Sequence, residues 1–175
     1  MRSAFAACTV LALLATGCLS GCATTGPTVA KAPSPQTAAA FDQLKTLQGN
    51  WVNMQDGKET PGSTISVSSA GSAVREVMFP GSPHEMTNMF HLDGDAIVAT
   101  HYCAMGNQPT MRCTHPANGV FAFRFAGISN LQADHGAYMA ELTLTIVDAN
   151  HIRQEWWSMD KGQRTGPTVF DLVRK

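Results

Sequence analysis

Charged residues are scarce in this chain of 175 residues, and neither sign dominates. Lys, Arg, Asp and Glu make up 14% of the sequence, and the formal net charge at pH 7 is -1. Surfaces that bind nucleic acid need clustered positive charge, because they neutralise many phosphates at once. The composition therefore gives no reason to expect nucleic acid as a partner.

Motifs of the common catalytic sites are also missing. The chain contains no Gly-x-Ser-x-Gly nucleophile elbow, no His-Glu-x-x-His zinc helix and no Gly-rich phosphate loop. Glu76, Glu85, Glu141 and Glu155 would supply acid or base chemistry only if their strands turned them inward. Because isolated carboxylates on strands usually face solvent, we expect no enzyme activity and no cofactor.

No apolar run is long enough to span a membrane. A shorter apolar run lies at the N-terminus. Residues 4–15 are mostly apolar, follow a single arginine and lead into small residues that end at Cys22. One positive charge, about a dozen apolar residues and a small-residue cleavage site are typical of a secretory signal peptide. Leu19-Ser20-Gly21-Cys22 resembles the bacterial lipobox, which implies cleavage before Cys22 and its acylation.

The lipobox resemblance divides the chain into three parts. Residues 1–21 are the expected signal peptide, residues 22–40 the acylated cysteine with a flexible tether, and residues 41–175 the folded domain. The tether consists of small residues and proline, which cannot bury a core. Ala23 replaces the aspartate that, in enterobacteria, retains lipoproteins at the inner membrane. We therefore expect an N-terminal lipid in the outer membrane, with the domain facing the periplasm.

Hydrophobic periodicity predicts one short helix and then strands. Phe41, Leu44 and Leu47 recur on one face of a helix predicted over residues 38–47. Alternating patterns then predict strands, which have turn residues between them: 51–53, 64–68, 74–79, 85–92, 96–103, 110–114, 120–125, 138–147, 152–158 and 169–174. We expect an all-β, antiparallel up-and-down barrel of about ten strands. A β-sandwich is the main alternative.

Two stretches resemble known proteins. A short helix running into Gly49-Asn50-Trp51, with a last strand over residues 169–174, resembles the calycin superfamily of lipocalins and related barrels. That resemblance implies that Trp51 plugs one barrel end and that a late basic residue, Arg174 or Arg153, stacks across it. Residues 100–109 are also similar to a stretch in bacterial exported proteins of lipocalin-like type, a likeness that implies no activity.

A hairpin around residues 106–109 predicts either a disulfide or a metal site. If the hairpin turns at these residues and pairs Met105 with Met111, Cys103 lies opposite Cys113 at a Cα separation that a disulfide tolerates. In an oxidising compartment we expect these two cysteines to be paired. The same register adds two histidines to that face, which gives the alternative of a soft-metal or haem site formed by His101, Cys103, Cys113 and His115.

Apolar inward faces predict a binding function. A ten-strand barrel is wide enough to hold a small apolar ligand. The residues expected to line it are Phe121, Phe123, Phe125, Tyr138, Leu142, Leu144 and Trp156. We expect an envelope lipoprotein that binds a small hydrophobic ligand without catalysis. The alternative is a structural or assembly lipoprotein with a solid barrel that binds an envelope protein.

Overall fold

The computed structural model describes residues 29–132 and 136–175. Cys22, the expected signal peptide at residues 1–21 and the first part of the expected tether lie outside this range. No helix within the described ranges is long and apolar enough to cross a membrane.

The described residues form a closed antiparallel barrel of ten strands preceded by one α-helix. The elements are α1 (Pro35–Lys45), β1 (Gly49–Gln55), β2 (Lys58–Ser68), β3 (Ala73–Met78), β4 (Met86–Asp93), β5 (Ala96–Tyr102), β6 (Gln108–Cys113), β7 (Val120–Ser129), β8 (Tyr138–Asp148), β9 (His151–Asp160) and β10 (Gln163–Arg174). Each strand pairs with its neighbours in sequence, and β1 pairs with β10 to close the barrel. The predicted fold class, an all-β up-and-down barrel of about ten strands with one short N-terminal helix, is confirmed.

Helix α1 begins three residues earlier than the sequence predicted. Ser34 supplies the N-cap, since its Oγ accepts the Thr37 N–H at 3.2 Å, and Pro35 follows in the first turn. Asp95 Oδ1, in the β4–β5 turn, accepts the Ser34 N–H at 2.9 Å and the Thr37 hydroxyl at 2.6 Å. These polar contacts hold the start of the helix against the barrel. Apolar periodicity could not predict this first turn, because side-chain hydrogen bonds fix it instead of apolar residues.

Helix α1 closes one end of the barrel. It packs against β4 and β5, and its buried face carries Phe41 and Leu44, which join the core. Leu47, two residues beyond the helix, is also buried, and its carbonyl accepts the Trp51 indole N–H at 2.9 Å. We call this the closed end. The β1–β2, β3–β4, β5–β6, β7–β8 and β9–β10 connections lie at the opposite end, which we call the mouth.

Trp51 and Arg174 meet at the closed end, in the arrangement that the calycin resemblance implies. The guanidinium carbon of Arg174 lies 4.4 Å from the centroid of the Trp51 ring. Gly49 is needed beside them: its φ is +146°, and an added Cβ would lie 2.6 Å from Arg174 Nη1. The guanidinium also donates to three backbone carbonyls, those of Thr46, Gln48 and Ala149. Arg174 therefore ties the chain before β1 to the β8–β9 turn.

The predicted disulfide between Cys103 and Cys113 is wrong. The register of β5 and β6 places Cys113 opposite Ile97, whereas Cys103 lies in the turn, where its N–H donates to the Asn107 carbonyl at 3.1 Å. Both cysteines are free thiols. The turn comprises residues 103–107, earlier than the expected 106–109, so the two sulfurs occupy different levels of the barrel.

Candidate functional site

A pocket of about 340 Å³ opens at the mouth beside β1, β2 and β10. Phe79 and Phe170 form one side, with ring centroids 5.5 Å apart in an edge-to-face arrangement. Asn53 and Thr60 contribute polar groups, although these already bond each other, since Asn53 Nδ2 donates to Thr60 Oγ1 at 3.0 Å. The remaining lining residues are Gln55, Pro61, Ser82 and His84. The pocket is therefore apolar with a few fixed polar groups, which is typical of small-molecule sites.

Phe79 holds an unusual backbone conformation at this pocket. Its φ is +51°, in the left-handed region that bulky side chains rarely adopt. Its N–H donates to the Gly62 carbonyl at 2.7 Å, which holds Phe79, the residue after β3, against β2. Such backbone strain is concentrated at binding and catalytic sites. It sets the position of the aromatic ring that forms the pocket wall.

A row of polar side chains crosses three adjacent strands inside the barrel. Glu76 of β3 lies opposite Asn88 of β4, and Asn88 lies opposite His101 of β5. Asn88 Nδ2 donates to Glu76 Oε2 at 2.8 Å, and Asn88 Oδ1 lies 2.7 Å from His101 Nδ1. All three side chains are about 1% exposed. We call these residues the polar row.

The opposite wall of the barrel reaches the polar row through β9. Gln154 Nε2 donates to Glu76 Oε1 at 2.7 Å, and the indole N–H of Trp156 donates to Gln154 Oε1 at 2.9 Å. Ser63 of β2 also donates to Glu76 Oε1, at 2.7 Å. The carboxylate thus accepts three hydrogen bonds from three different strands, which compensates for its removal from water.

One atom at the end of the polar row has no partner. His101 Nε2 is fully buried, and no hydrogen-bond partner for it occurs among the described residues. The His101 ring lies against Trp156, with ring centroids 5.1 Å apart. Burial lowers the pKa of His101 to about 4, because the charged imidazolium is poorly solvated there. The imidazole is therefore neutral at pH 7.

Most of the predicted lining residues lie inside the barrel, packed in the core. Those with at most 2% exposure are Phe121, Phe123, Leu142, Leu144 and Trp156. Whether they contact a ligand stays a prediction. Phe125 is 43% exposed, so its predicted place in the interior is wrong. It sits at a β-bulge between β6 and β7, where the regular inward alternation is interrupted, and its ring stacks on half-buried Tyr138 near the mouth.

The alternative metal or haem site is also not assembled as predicted. His101 and Cys113 both face inward, but the strand partner of Cys113 is Ile97, four positions from His101, which is roughly 13 Å along a strand. His115 is exposed beyond the end of β6, and its Nδ1 lies 2.8 Å from the Thr114 hydroxyl. In the part of the chain that the structure describes, no three His, Cys, Asp or Glu side chains are grouped to hold a metal ion.

The sequence predicted a solvent-facing Glu76 and a metal-ligating His101, and it did not predict that they form one row; Glu76 is 1% exposed, so its expected orientation is wrong. The sequence pattern nonetheless contained a signal for these positions. Glu76 lies two residues from Val74 and from Met78, and Gln154 lies two residues from Ile152 and from Trp156. Each is therefore a polar residue on an apolar inward face. A polar residue at a core position marks either a hydrogen-bonded network or a binding site.

Comparisons with known proteins add no functional assignment. No family model matches the chain, and a search of curated proteins returned no match.

Proposed function

We propose that this chain is an envelope-anchored lipoprotein whose lipocalin-like barrel binds a small hydrophobic ligand without catalysis. The anchor is Cys22, the last residue of the lipobox. Ala23 at the next position supports placement in the outer membrane with the barrel facing the periplasm. The observation that carries the binding proposal is the asymmetry of the barrel ends. Helix α1 and the Trp51–Arg174 contact seal one end, whereas the other carries the pocket between Phe79 and Phe170.

The surroundings of the pocket support entry of a ligand from the mouth. Four partly buried hydrophobic residues pack on the mouth side of the core: Phe79, Met86, Met139 and Phe170. Methionine side chains are flexible and polarizable, and they can repack around ligands of irregular shape. Phe170 lies opposite Gln154 in the β9–β10 register, so the pocket wall is next to the polar network inside the barrel.

Binding is favoured over catalysis because the one carboxylate that is buried among the described residues is already held by hydrogen bonds. Glu76 accepts hydrogen bonds from Ser63, Asn88 and Gln154, which hold it in one position. A carboxylate used in this way orders neighbouring side chains, in contrast to one that faces an open pocket to exchange a proton with a substrate.

The test is saturable binding of the apolar fluorophore N-phenyl-1-naphthylamine by the full chain. Every sample carries Cys22→Ser, so that no attached acyl group competes for the pocket. Phe170→Ala should weaken binding about tenfold, since an aromatic contact contributes about 0.5–1.5 kcal/mol beyond its buried area. The matched control is Val169→Ala at the adjacent, exposed position of β10, which should bind like the parent.

Circular dichroism melts establish that both variants are folded. Absence of saturable binding by the parent protein would refute the proposal. Equal weakening by both substitutions would show that the fluorophore binds elsewhere, and it too would reject the pocket between Phe79 and Phe170 as the binding site.

A further inference from the structure

The hydrogen bonds of the polar row fix the protonation of His101. A carboxylate can only accept, so Asn88 must direct its NH₂ group toward Glu76 and its carbonyl oxygen toward His101. The His101 Nδ1 must then carry the proton that it donates to Asn88. In the neutral ring this leaves Nε2 unprotonated, with its lone pair as a hydrogen-bond acceptor.

The free acceptor is strengthened by the groups behind it. The hydrogen bond to Glu76 polarises the Asn88 amide, and the amide in turn polarises the Nδ1–H bond, so electron density increases at Nε2. Yet this atom is buried without a partner among the described residues. A buried acceptor left unsatisfied costs about 1–3 kcal/mol in general, and a hydrogen-bond donor brought by a ligand would remove that cost.

The charges inside the barrel restrict what this donor can belong to. Glu76 carries the one carboxyl group that is buried among the described residues, and no described Lys or Arg is buried. A carboxylate or phosphate ligand would lie near the Glu76 carboxyl group with no buried Lys or Arg among the described residues to pair with, and it has no proton to donate to Nε2. The interior therefore excludes anions, and the same burial that keeps the His101 imidazole neutral disfavours a cationic donor.

The acceptor also lies toward the mouth. His101 is the second-last residue of β5 and Asn88 the third residue of β4, and both strands have these ends at the mouth. Met86, at the start of β4, is one of the flexible residues above the row. For a ligand to reach His101 from the mouth, the Met86 side chain at least must move.

We propose that His101 Nε2 is the polar anchor of the binding site, and that the ligand is an uncharged amphiphile with a hydroxyl or N–H donor at the end of its apolar part. This inference rests on the proposed binding function and names its ligand class. It predicts discrimination against fatty-acid anions of the same chain length.

Three probes with matched chains test the anchor in the full chain carrying Cys22→Ser: decan-1-ol, decyl methyl ether and decanoate, titrated at pH 8. The alcohol should bind at least about tenfold more tightly than either other probe, because only the alcohol is both neutral and a donor. His101→Phe should abolish the preference for alcohol over ether. The matched control His115→Phe, at an exposed histidine, should retain it.

Nitrogen-15 NMR of the parent protein supplies a second measurement that needs no variant in the core. His101 should appear as the neutral Nδ1–H tautomer, and its Nε2 resonance should shift when decan-1-ol is added but not when the ether is added. Decanoate binding as tightly as decan-1-ol, or an unchanged Nε2 resonance at saturation, would overturn the anchor. If N-phenyl-1-naphthylamine still bound in either case, the proposed function would stand. If the parent protein bound none of the four compounds, both the anchor and the proposed function would be refuted.

Discussion

Removing the Glu76 carboxylate is the most direct perturbation of the barrel interior. Glu76→Ala leaves three buried donors, on Ser63, Asn88 and Gln154, without their acceptor. At about 1–3 kcal/mol for each unsatisfied group, the summed cost is about 3–9 kcal/mol. Water entering the vacated space and relief from burying a charge reduce this sum. We expect the free energy of unfolding to fall by about 3–5 kcal/mol.

Urea unfolding followed by circular dichroism measures this loss. Glu59→Ala provides the control, because Glu59 is an exposed glutamate on β2 and its removal should change stability by less than about 0.5 kcal/mol. Adding Ser63→Ala to Glu76→Ala should cost less than Ser63→Ala alone, since the hydroxyl no longer has an acceptor to lose. A loss below about 1 kcal/mol for Glu76→Ala, or strict additivity in the double variant, would refute the assignment of Glu76 as the centre of the network.

Four further predictions concern groups in other parts of the fold. Arg174→Lys should lower the free energy of unfolding by about 1–3 kcal/mol in urea titrations, because an ammonium cannot reproduce the three carbonyl contacts of the guanidinium, and an unchanged midpoint would contradict this. In protein purified without reductant, a maleimide should label half-buried Cys103 in the folded state but Cys113 only after denaturation, since burial shields Cys113 and raises its pKa; peptide mapping that finds a disulfide would contradict the register. Hydrogen bonds from Thr37 and Ser34 lower the pKa of Asp95 to about 2, so the support it gives α1 is complete above pH 3.8 and is lost as the pH falls through about 2; hydrogen exchange in α1 should show this loss, and Asp95→Ala should lack it. Because the pKa of His101 falls from 6.5 to about 4 on folding, the unfolded state binds a proton that the folded state does not between these values, and stability should drop by up to about 3 kcal/mol as the pH falls from 6.5 to 4; equal pH slopes for His101→Phe and His115→Phe would contradict this.

The architecture was predictable because each strand carries its own local signal. Twofold alternation identifies a half-buried strand wherever it occurs, and short turns force neighbouring strands to pair. All ten predicted strands are present, although β2 and β10 begin earlier than predicted, at Lys58 and Gln163. Pro61 and Gly166 lie in these added parts, next to irregularities of register, where strand periodicity is interrupted.

The pairing of β5 with β6 was not predictable, because several turn-forming residues compete. Gly106, Asn107 and Pro109 all favour a turn, and the expected centre lies three residues beyond the observed one at Met105. Because the centre shifts by three residues, the partner of each residue on the opposite strand shifts by six positions, an even number. Every side chain therefore keeps its face. Cys113 points inward, and the residue opposite it is Ile97 instead of Cys103.

The site was predictable only in part, because it depends on contacts across the barrel. The twofold pattern places Glu76 and Gln154 on inward faces, but they lie 78 positions apart in sequence and on strands that do not pair. Their meeting depends on the tilt and stagger of the whole barrel, which local periodicity does not contain. Asn88 and His101 required one more fact, the register between β4 and β5.

His101 Nε2, which has no partner among the described residues, also determines how selective the barrel can be. An apolar residue at this position would leave no unsatisfied acceptor, and a ligand with or without a donor would then bind almost equally well. With His101 present, an ether leaves the acceptor unsatisfied on binding, whereas an alcohol satisfies it. Because Asn88 and Glu76 hold the ring in one tautomer, the histidine cannot avoid this cost by moving its proton to Nε2. The polar row therefore gives the barrel its preference by fixing one acceptor, in a space that already excludes anions.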